Sequence, residues 1–437
     1  MACSNQPGAP YYAQPMAKLL ALFLATAAVF VTLPVLVRPS PPPPDIVLII
    51  VDDLSRSDLD LIHTPNLDAL AASGVTFTRG YSMPTCAPTR WSMLYGEFNP
   101  RHFRSECRDN PTNPFPHPLA APILDPSRPN LSNVLTAAGY TAGFFGKWHT
   151  GSVMSGWQNA PLEVGFTAWR AGGPPLLSAS GGACNSFGFY DWQRVDDGTI
   201  TQETGYATKA QVDAAIDWAS GTPGPRFAIV SFHSPHIPLH LPPEEVGRTD
   251  REQFEAMVRN LDVEVGRLLG AIPDDAWVFF IADNGTFSGN VAPGVDPDKA
   301  KRTTFEGGIN VPVLVRGPGV LGGRECGRLV CTTDILATLA EIVGAPPPLW
   351  AEDSLSFLPL VHGPTGPPTR TIGYAGHVRD DGTEHDEAAF TERYKLRRVF
   401  GVETLYDLKA DPLEENPLPA GALPGTWAKL SAFIDAQ

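Results

Sequence analysis

Residues 46–51 form a continuous aliphatic run that ends abruptly at Asp52 and Asp53. Apolar residues at successive positions predict a strand buried on both faces, as in a parallel sheet covered by helices. The pattern returns along the chain, with further strands predicted at 141–145, 227–232, 278–282 and 311–315. Helical patterns accompany them at 65–73, 130–138, 206–219, 254–269 and 334–343. This alternation predicts an α/β fold built on a large, mostly parallel sheet flanked by helices.

The C-terminal part of the chain has a different pattern. Three consecutive prolines at 346–348 mark the change. Beyond them, short strands are predicted at 393–399 and 403–406, and a helix near 427–434. Short strands without intervening helices are typical of an antiparallel sheet. We therefore expect a smaller C-terminal subdomain with an antiparallel sheet.

The composition fits a folded protein and excludes some partners. The chain has 437 residues, of which 43% are hydrophobic and 18% are charged, as in globular proteins. Its formal net charge of −15 argues against binding to nucleic acid and against adsorption to acidic membrane surfaces.

An apolar stretch at residues 19–37 lies between Lys18 and Arg38. It is long enough to cross a bilayer, which takes about 20 residues, and longer than the usual core of a signal peptide. Three interpretations stay open: a signal-anchor, a cleaved signal peptide and a buried helix. The first two place the folded part in the secretory pathway, as a single-pass membrane protein or in a secreted or lysosome-like lumen.

An even number of cysteines remains once Cys3 and Cys86 are set aside. They are Cys107, Cys184, Cys326 and Cys331. In a secretory chain this number allows two disulfides, and the last two cysteines are close enough in sequence to bridge a hairpin. Four unpaired thiols in the core are the equal alternative.

The segment 86–96 begins with Cys86, Pro88 and Arg90 at alternate positions, which predicts a loop that turns into a helix. Proline is well tolerated in the first helical turn, where its missing N–H is no loss. The free N–H groups and the positive end of the helix dipole would then face Cys86 and favour an anion. A buried free cysteine beside a helix start is the simpler alternative.

Oxygen-bearing side chains follow two of the predicted strands. Asp52 and Asp53 follow the first strand, and Asp283 and Asn284 follow the strand at 278–282. Ligands of open α/β sheets bind at the carboxyl ends of the strands, so we expect these side chains to lie close together. Carboxylate and amide oxygens suit Ca²⁺ or Mg²⁺ rather than zinc, although strand-end aspartates also cap turns.

Four further residues are candidate cationic and proton-transfer groups. They are Lys147, His149, His236 and Lys301. The first three follow predicted strands, and Lys301 precedes the glycine pair at 307–308. Together with Arg90 and a divalent cation, they would hold a small oxyanion and stabilise the charge that leaves it.

Several motifs follow one another in a fixed order: Asp52-Asp53, CAPTRWSMLYG, GYTAGFFGKWH, SPHIPLH, ADNG and KRTTFEGGINVP. In this order they resemble the sulfatase family of the alkaline-phosphatase-like superfamily, and the resemblance extends from residue 45 to the C-terminus. It implies an alkaline-phosphatase-like fold and the hydrolysis of a sulfate ester.

The resemblance also implies a cofactor set. Cys86 would be converted to formylglycine by a formylglycine-generating enzyme during secretion. A divalent metal, usually calcium in this family, would be bound at Asp52, Asp53, Cys86, Asp283 and Asn284.

The same resemblance implies roles for the remaining candidates. Arg90 would hold the formylglycine hydrate, and Lys147 and Lys301 would bind the sulfate oxygens. His149 would steady the nucleophile and help to expel sulfate, and His236 would protonate the leaving alcohol. The family also places a serine near the sulfate, for which Ser178 and Ser180 are candidates.

Three positions depart from the family pattern. Tyr95 replaces a threonine, Thr89 replaces the commoner serine, and Phe305 stands where tyrosine is frequent. None of them removes a ligand, so we expect an active enzyme. Two other interpretations stay open: a phosphonate or phosphate ester hydrolase of the same superfamily, and a catalytically dead protein that binds sulfated glycans.

The expected organisation is an N-terminal tail (1–17), a signal-anchor or signal peptide (18–38), a Pro-rich linker (39–44), a sulfatase catalytic domain (45–345) and a C-terminal subdomain (346–437). The substrate is expected to be a sulfated small molecule or glycan, recognised by residues 97–128 and 151–205. Residues 19–37 would anchor the chain if they are not cleaved. Asn130 and Asn284 lie in glycosylation sequons, and Asn130 is the better candidate.

Overall fold

The computed structural model describes residues 42–98, 126–150, 157–173, 188–346, 348–378 and 385–437. From Pro43 onward they belong to one compact unit. The predictions for residues 1–38, and those for Cys107, Cys184, Ser178 and Ser180, lie outside the described residues.

The described residues form one large, ten-stranded sheet. Its strands are β1 Ile46–Val51, β2 Val75–Tyr81, β3 Thr141–Lys147, β4 Ala168–Gly173, β5 Trp192–Asp196, β6 Thr199–Glu203, β7 Arg226–Ser231, β8 Trp277–Ala282, β9 Val313–Arg316 and β10 Arg324–Cys331. Their order across the sheet is β10-β2-β9-β8-β1-β7-β3-β4-β5-β6. Strands β5 and β9 run antiparallel to their neighbours. The prediction of a large, mostly parallel sheet is therefore confirmed.

Helices accompany this sheet. They are α1 Arg56–Leu59, α2 Pro65–Ser73, α3 Cys86–Tyr95, α4 Leu131–Ala137, α5 Ala160–Glu163, α6 Ala207–Gly221, α7 Asp250–Leu269, α8 Glu306–Ile309, α9 Ile335–Ile342 and α10 Leu358–His362. Helix α7 begins with a capping box between Thr249 and Glu252, and its apolar residues at 3–4 spacing are buried. Among the helices of the described ranges, none combines the length and the apolar character needed to span a bilayer.

Strand β1 lies near the middle of the sheet. It pairs in parallel with β7 on one side and with β8 on the other, and each of its residues is almost fully buried. This burial on both faces explains the continuous aliphatic run. The carboxyl ends of β1, β7, β8 and β3 therefore meet at one edge of the sheet.

A second sheet forms the C-terminal part. Its strands are β11 Gly373–Val378, β12 His385–Phe390, β13 Tyr394–Val399 and β14 Val402–Asp407, each antiparallel to the next. Helix α11 Pro424–Asp435 packs its Leu430 and Ile434 into the apolar cluster of this sheet. The predicted C-terminal antiparallel sheet is confirmed.

The suggested hairpin disulfide is wrong. Cys326 and Cys331 are both free thiols, and both lie on β10. Residues five positions apart on one strand are separated by about 16 Å, so no bond can join them.

Glycosylation at Asn130 also does not fit the folded chain. Asn130 is the N-cap of α4 and is buried; its amide donates to the carbonyl of Val164 at 2.8 Å. Asn284, the other sequon asparagine, is fully buried. Neither side chain is open to an external enzyme in the folded protein.

Candidate active site

Helix α3 begins at Cys86, with Thr85 as its extended N-cap residue. The hydroxyl of Thr89 accepts from the Met83 N–H at 3.1 Å and donates to the Thr85 carbonyl at 3.1 Å, which fixes the preceding loop. Gly96 ends the helix in the left-handed conformation. Every side chain of the helix is buried. The segment is thus a loop that turns into a helix, as predicted, with the Cys86 side chain at the positive end of its dipole.

The predicted strand-end residues lie at one edge of the sheet, because β1 is flanked by β7 and β8. Asp52 and Asp53 follow β1, Asp283 follows β8, Lys147 ends β3 and His236 follows β7. The three carboxylates and Lys147 are almost fully buried.

Each buried carboxylate of the site has its own cation. Lys147 Nζ contacts Asp52 Oδ2, and Lys301 Nζ contacts Asp53 Oδ1. Arg90 contacts Asp283 Oδ2 through Nε at 2.9 Å and Nη2 at 2.8 Å. Burial alone would raise the pKa of Asp52, but Lys147 and its neighbouring cations lower that pKa well below the ordinary value. Burial and the neighbouring Asp52 raise the pKa of Asp283, in contrast, to about 6.

Some oxygens of the site have no hydrogen-bond partner. They are Asp52 Oδ1, Asp53 Oδ2 and Asn284 Oδ1, all buried. Buried acceptors are normally satisfied, so three unsatisfied oxygens at one sheet edge indicate a missing partner. Asp52, Asp53, Cys86 and His236 also bring one ligand atom each within 4.8 Å of one another. The oxygen donors among these side chains, those of Asp52, Asp53 and Asn284, fit a cation such as Ca²⁺ or Mg²⁺.

Asp283 is less available to a cation than Asp52 and Asp53, because both of its oxygens accept hydrogen bonds. Its Oδ1 accepts from the Asp53 N–H at 3.3 Å, and its Oδ2 is held by Arg90. The amide nitrogen of Asn284 donates to Asp53 Oδ1 at 2.7 Å, which leaves its oxygen free to face a cation. The predicted oxygen-donor residues are therefore together, but Asp283 also orients Arg90.

The Cys86 thiol lies 3.4 Å from Lys301 Nζ. Burial raises the pKa of this thiol to about 11, in spite of Lys147 and Lys301 nearby. At neutral pH the side chain is therefore a neutral thiol rather than a thiolate, the form in which cysteine is a nucleophile. An enzyme that used the Cys86 thiolate as its nucleophile would need this pKa to be lowered instead.

The two candidate histidines have different surroundings. His236 Nδ1 lies 2.7 Å from the carbonyl of Ile237, which can only accept, so Nδ1 carries a proton. Its Nε2 lies 3.8 Å from Asp53 Oδ2. His149 has a backbone φ of 50° and a buried Nδ1 without a hydrogen-bond partner. Burial, and then the charges of Lys147 and Arg90, lower the pKa of His149 well below its ordinary value.

Ser231 has a supporting position that sequence reasoning missed. Its hydroxyl donates to the Lys147 carbonyl at 2.7 Å and accepts from Arg90 Nη1, which also bonds that carbonyl at 2.9 Å. A serine at the end of an otherwise apolar run was the available signal.

Two of the departures from the family pattern have clear surroundings. Tyr95 is buried with its ring 4.8 Å from that of Trp91. The guanidinium of Arg397 lies 3.3 Å from the centre of the Phe305 ring. Neither position is one of the predicted ligands of the cation.

Comparisons with known proteins identify the family of the chain. The family model described as Sulfatase matches residues 44–345. N-acetylgalactosamine-6-sulfatase from Sus scrofa is 30% identical over 357 residues, which cover 74% of this chain and 66% of that protein. The chain thus spans about two thirds of that relative's length. Arylsulfatase A from Homo sapiens is 29% identical over 452 residues, covering 90% of this chain and 87% of that protein.

A solved structure shares the fold. It is Ps i-CgsB in complex with k-i-k-neocarrahexaose, with a TM-score of 0.77 and 23% identity, covering 90% of this chain and 92% of that one. The family match covers more than half of the 437 residues and includes each candidate residue of the site. The chain is therefore a member of the sulfatase family.

Proposed function

We propose that this protein hydrolyses a sulfate ester, using a formylglycine made from Cys86 and a bound divalent cation. The observation that carries the proposal is the position of Cys86: a neutral thiol 3.4 Å from Lys301 Nζ, beside a cluster of unsatisfied oxygens. These surroundings do not activate a thiolate. They suit an oxygen nucleophile beside a metal and an anionic substrate.

Asp52, Asp53 and Asn284 would hold the cation through their unsatisfied oxygens, with Asp283 and the side chain at position 86 completing its surroundings. Ca²⁺ is the first candidate, and Mg²⁺ the second. When bound, the cation would neutralise charge on the sulfate and favour an ionised oxygen nucleophile.

A formylglycine hydrate at position 86 would supply two hydroxyl groups, one as the nucleophile toward sulfur in displacement of the ester oxygen and the other as the group whose deprotonation would allow sulfate to leave. Arg90, fixed by Asp283 and Ser231, would hold that side chain. Lys147 and Lys301 would bind the sulfate oxygens and stabilise the charge of the transition state. His149 would accept the proton whose removal releases sulfate.

His236 would donate a proton to the leaving alcohol. Its Nδ1–H is engaged with the Ile237 carbonyl, so the proton would be donated from Nε2 of the doubly protonated imidazolium form. General acid catalysis of this kind matters most when the leaving alcohol is a poor leaving group.

The substrate class that we propose is a sulfated small molecule or glycan, in keeping with the names of the relatives. Maturation would require a formylglycine-generating enzyme, and the apolar stretch at residues 19–37 would direct the chain into the secretory pathway. The proposal includes two uses of residues 19–37, as a membrane anchor or as a cleaved signal peptide.

Mass spectrometry of the tryptic peptide 80–90 tests the proposal directly. Protein from a secretory host should carry formylglycine at position 86, whereas unmodified cysteine alone in that peptide would contradict the mechanism. Turnover of an aryl sulfate is then compared with that of the matching aryl phosphonate. Preference for the phosphonate would favour the other hydrolase class, and binding of sulfated glycan without release of sulfate would indicate a dead enzyme.

A further inference from the structure

The loop that carries Lys301 is attached to two different parts of the protein. On its N-terminal side it is tied to the catalytic sheet region: the Lys301 N–H donates to the Thr286 carbonyl at 3.0 Å, and the Arg302 N–H donates to the Pro84 carbonyl at 2.9 Å. Arg302 has a backbone φ of 79°. A non-glycine residue in this region is strained and persists only when its surroundings hold it.

The C-terminal side of the loop is held by the four-stranded sheet. Asp386 on β12 accepts from the Thr304 N–H at 3.0 Å and from the Thr304 hydroxyl. Arg397 on β13 donates to the same hydroxyl at 3.0 Å and pairs with Asp386 at 2.6 Å. Thr304 is fully buried, and Asp386 and Arg397 are each less than a tenth exposed. The three side chains form a closed, buried hydrogen-bond network.

The next two loop residues are bound by the same subdomain. The guanidinium of Arg397 lies over the ring of Phe305, and the Glu306 N–H donates to Glu414 at 2.6 Å. Lys395, fully buried on β13, lies 2.6 Å from Glu306 and 3.1 Å from Glu414. A buried polar network is destabilised when some of its groups lack a partner, so these contacts favour a single position of the loop.

We propose that Thr304, Asp386 and Arg397 are positioning residues that hold Lys301 Nζ beside the side chain at position 86. None of the three contacts that side chain itself. They restrain the loop three residues beyond Lys301, on the far side of the strained Arg302. The inference rests on the sulfate-binding role proposed for Lys301. It assigns to the C-terminal subdomain a part in catalysis, exerted through this loop.

Hydrogen–deuterium exchange in the full chain tests the restraint without any assay of activity. In Asp386→Ala, the amides of Lys301 and Arg302 should exchange at least about tenfold faster, although their own acceptors belong to the catalytic domain. Arg398→Met is the matched control, because Arg398 neighbours Arg397 on β13 but pairs with Glu403 and Asp435. Faster exchange at Thr304 alone, or equal effects in both variants, would overturn the proposal.

A double-mutant cycle tests the catalytic consequence. Thr304→Val removes the hydroxyl at nearly constant volume and should lower kcat about tenfold, since small misplacements of a catalytic group are costly. In a Lys301→Met background the same change should alter kcat less than about twofold, because its effect passes through Lys301. Thr304→Ser should restore the activity.

Equal losses with and without Lys301 would show a merely structural role. If the wild-type enzyme releases no sulfate, the proposed function fails, and the exchange experiment still decides whether the subdomain holds the loop.

Discussion

Arg90 and Asp283 face each other across the site as a buried ion pair, with Nε and Nη2 of the arginine both within 3 Å of one carboxylate oxygen. Arg90 comes from helix α3 and Asp283 from the end of β8. The pair thus couples the segment that carries Cys86 to the edge of the sheet where the unsatisfied oxygens lie.

Replacing Arg90 by lysine should lower kcat by about 100-fold, because lysine lacks the planar fork that reaches Asp283, Ser231 and the Lys147 carbonyl together. Arg90→Ala should also destabilise the fold by about 3–5 kcal/mol, since Asp283 loses its partner. Steady-state kinetics and denaturant unfolding measure the two effects. Arg370→Lys is the matched control: Arg370 pairs with Asp334 in a buried site elsewhere, so it should lose stability but keep kcat per folded molecule.

Calcium should stabilise the metal-free protein. At a concentration 100 times the Kd, a ligand that binds only the folded state adds about 2.7 kcal/mol, which thermal unfolding detects. Asp53→Asn should abolish most of this gain, whereas Asp213→Asn on helix α6 should leave it unchanged. A larger stabilisation by zinc than by calcium or magnesium would contradict the assignment of a hard-cation site.

Loss of His236 should depend on the leaving group. With an alkyl sulfate, His236→Ala should lower kcat by about 10²–10⁴-fold, the usual contribution of general acid catalysis. With a nitrophenyl sulfate, whose alcohol leaves readily without protonation, the loss should be much smaller. Equal losses for both substrates would assign His236 to metal or sulfate binding instead.

Acid should weaken the fold partly through His240. Burial lowers the pKa of His240 below 6.5; the centre of its ring lies 4.1 Å from that of Phe189, and its Nε2 is hydrogen-bonded to the Tyr206 hydroxyl at 3.0 Å. Below pH 6.5 the unfolded chain therefore binds a proton before the folded chain does, and stability falls as the pH falls. One such group changes the free energy of unfolding by at most about 1.4 kcal/mol per pH unit.

His240→Gln should reduce that slope while leaving stability near pH 8 almost unchanged. Urea unfolding at pH 5, 6, 7 and 8 provides the comparison. A slope equal to that of the wild type would show that His240 titrates alike in both states.

The sequence predicted what depends on local pattern. Strand β1 was recognisable because a strand buried on both faces is uniformly aliphatic. Strand β2, with the polar Thr76, Thr78 and Arg79, and strand β10, with four charged or glycine positions, gave no such run and were not predicted. The hairpin β5–β6 was missed although Asp197 and Gly198, both with positive φ, form a recognisable turn signal.

The residues of the site also divide into those that the sequence pattern predicts and those that it does not. Asp52, Asp283 and Lys147 were predictable neighbours because parallel strands bring their carboxyl ends to one edge. Ser231 was not predictable, because its role is to link Arg90 to the Lys147 carbonyl, which belongs to another strand. The thiol state of Cys326 and Cys331 also depended on their sharing one strand, which no spacing rule reveals.

The contacts between Thr304 and the four-stranded sheet have a consequence for how such a chain can be divided. A fragment ending at residue 345 keeps Cys86 and each residue proposed to touch metal or sulfate, yet it lacks Asp386, Arg397 and Glu414. In that fragment the loop of Lys301 would be anchored at one end only. If these contacts act as proposed, the smallest autonomous enzyme would be longer than the stretch that contains its reactive groups, and we expect the two sheets to occur together in related chains.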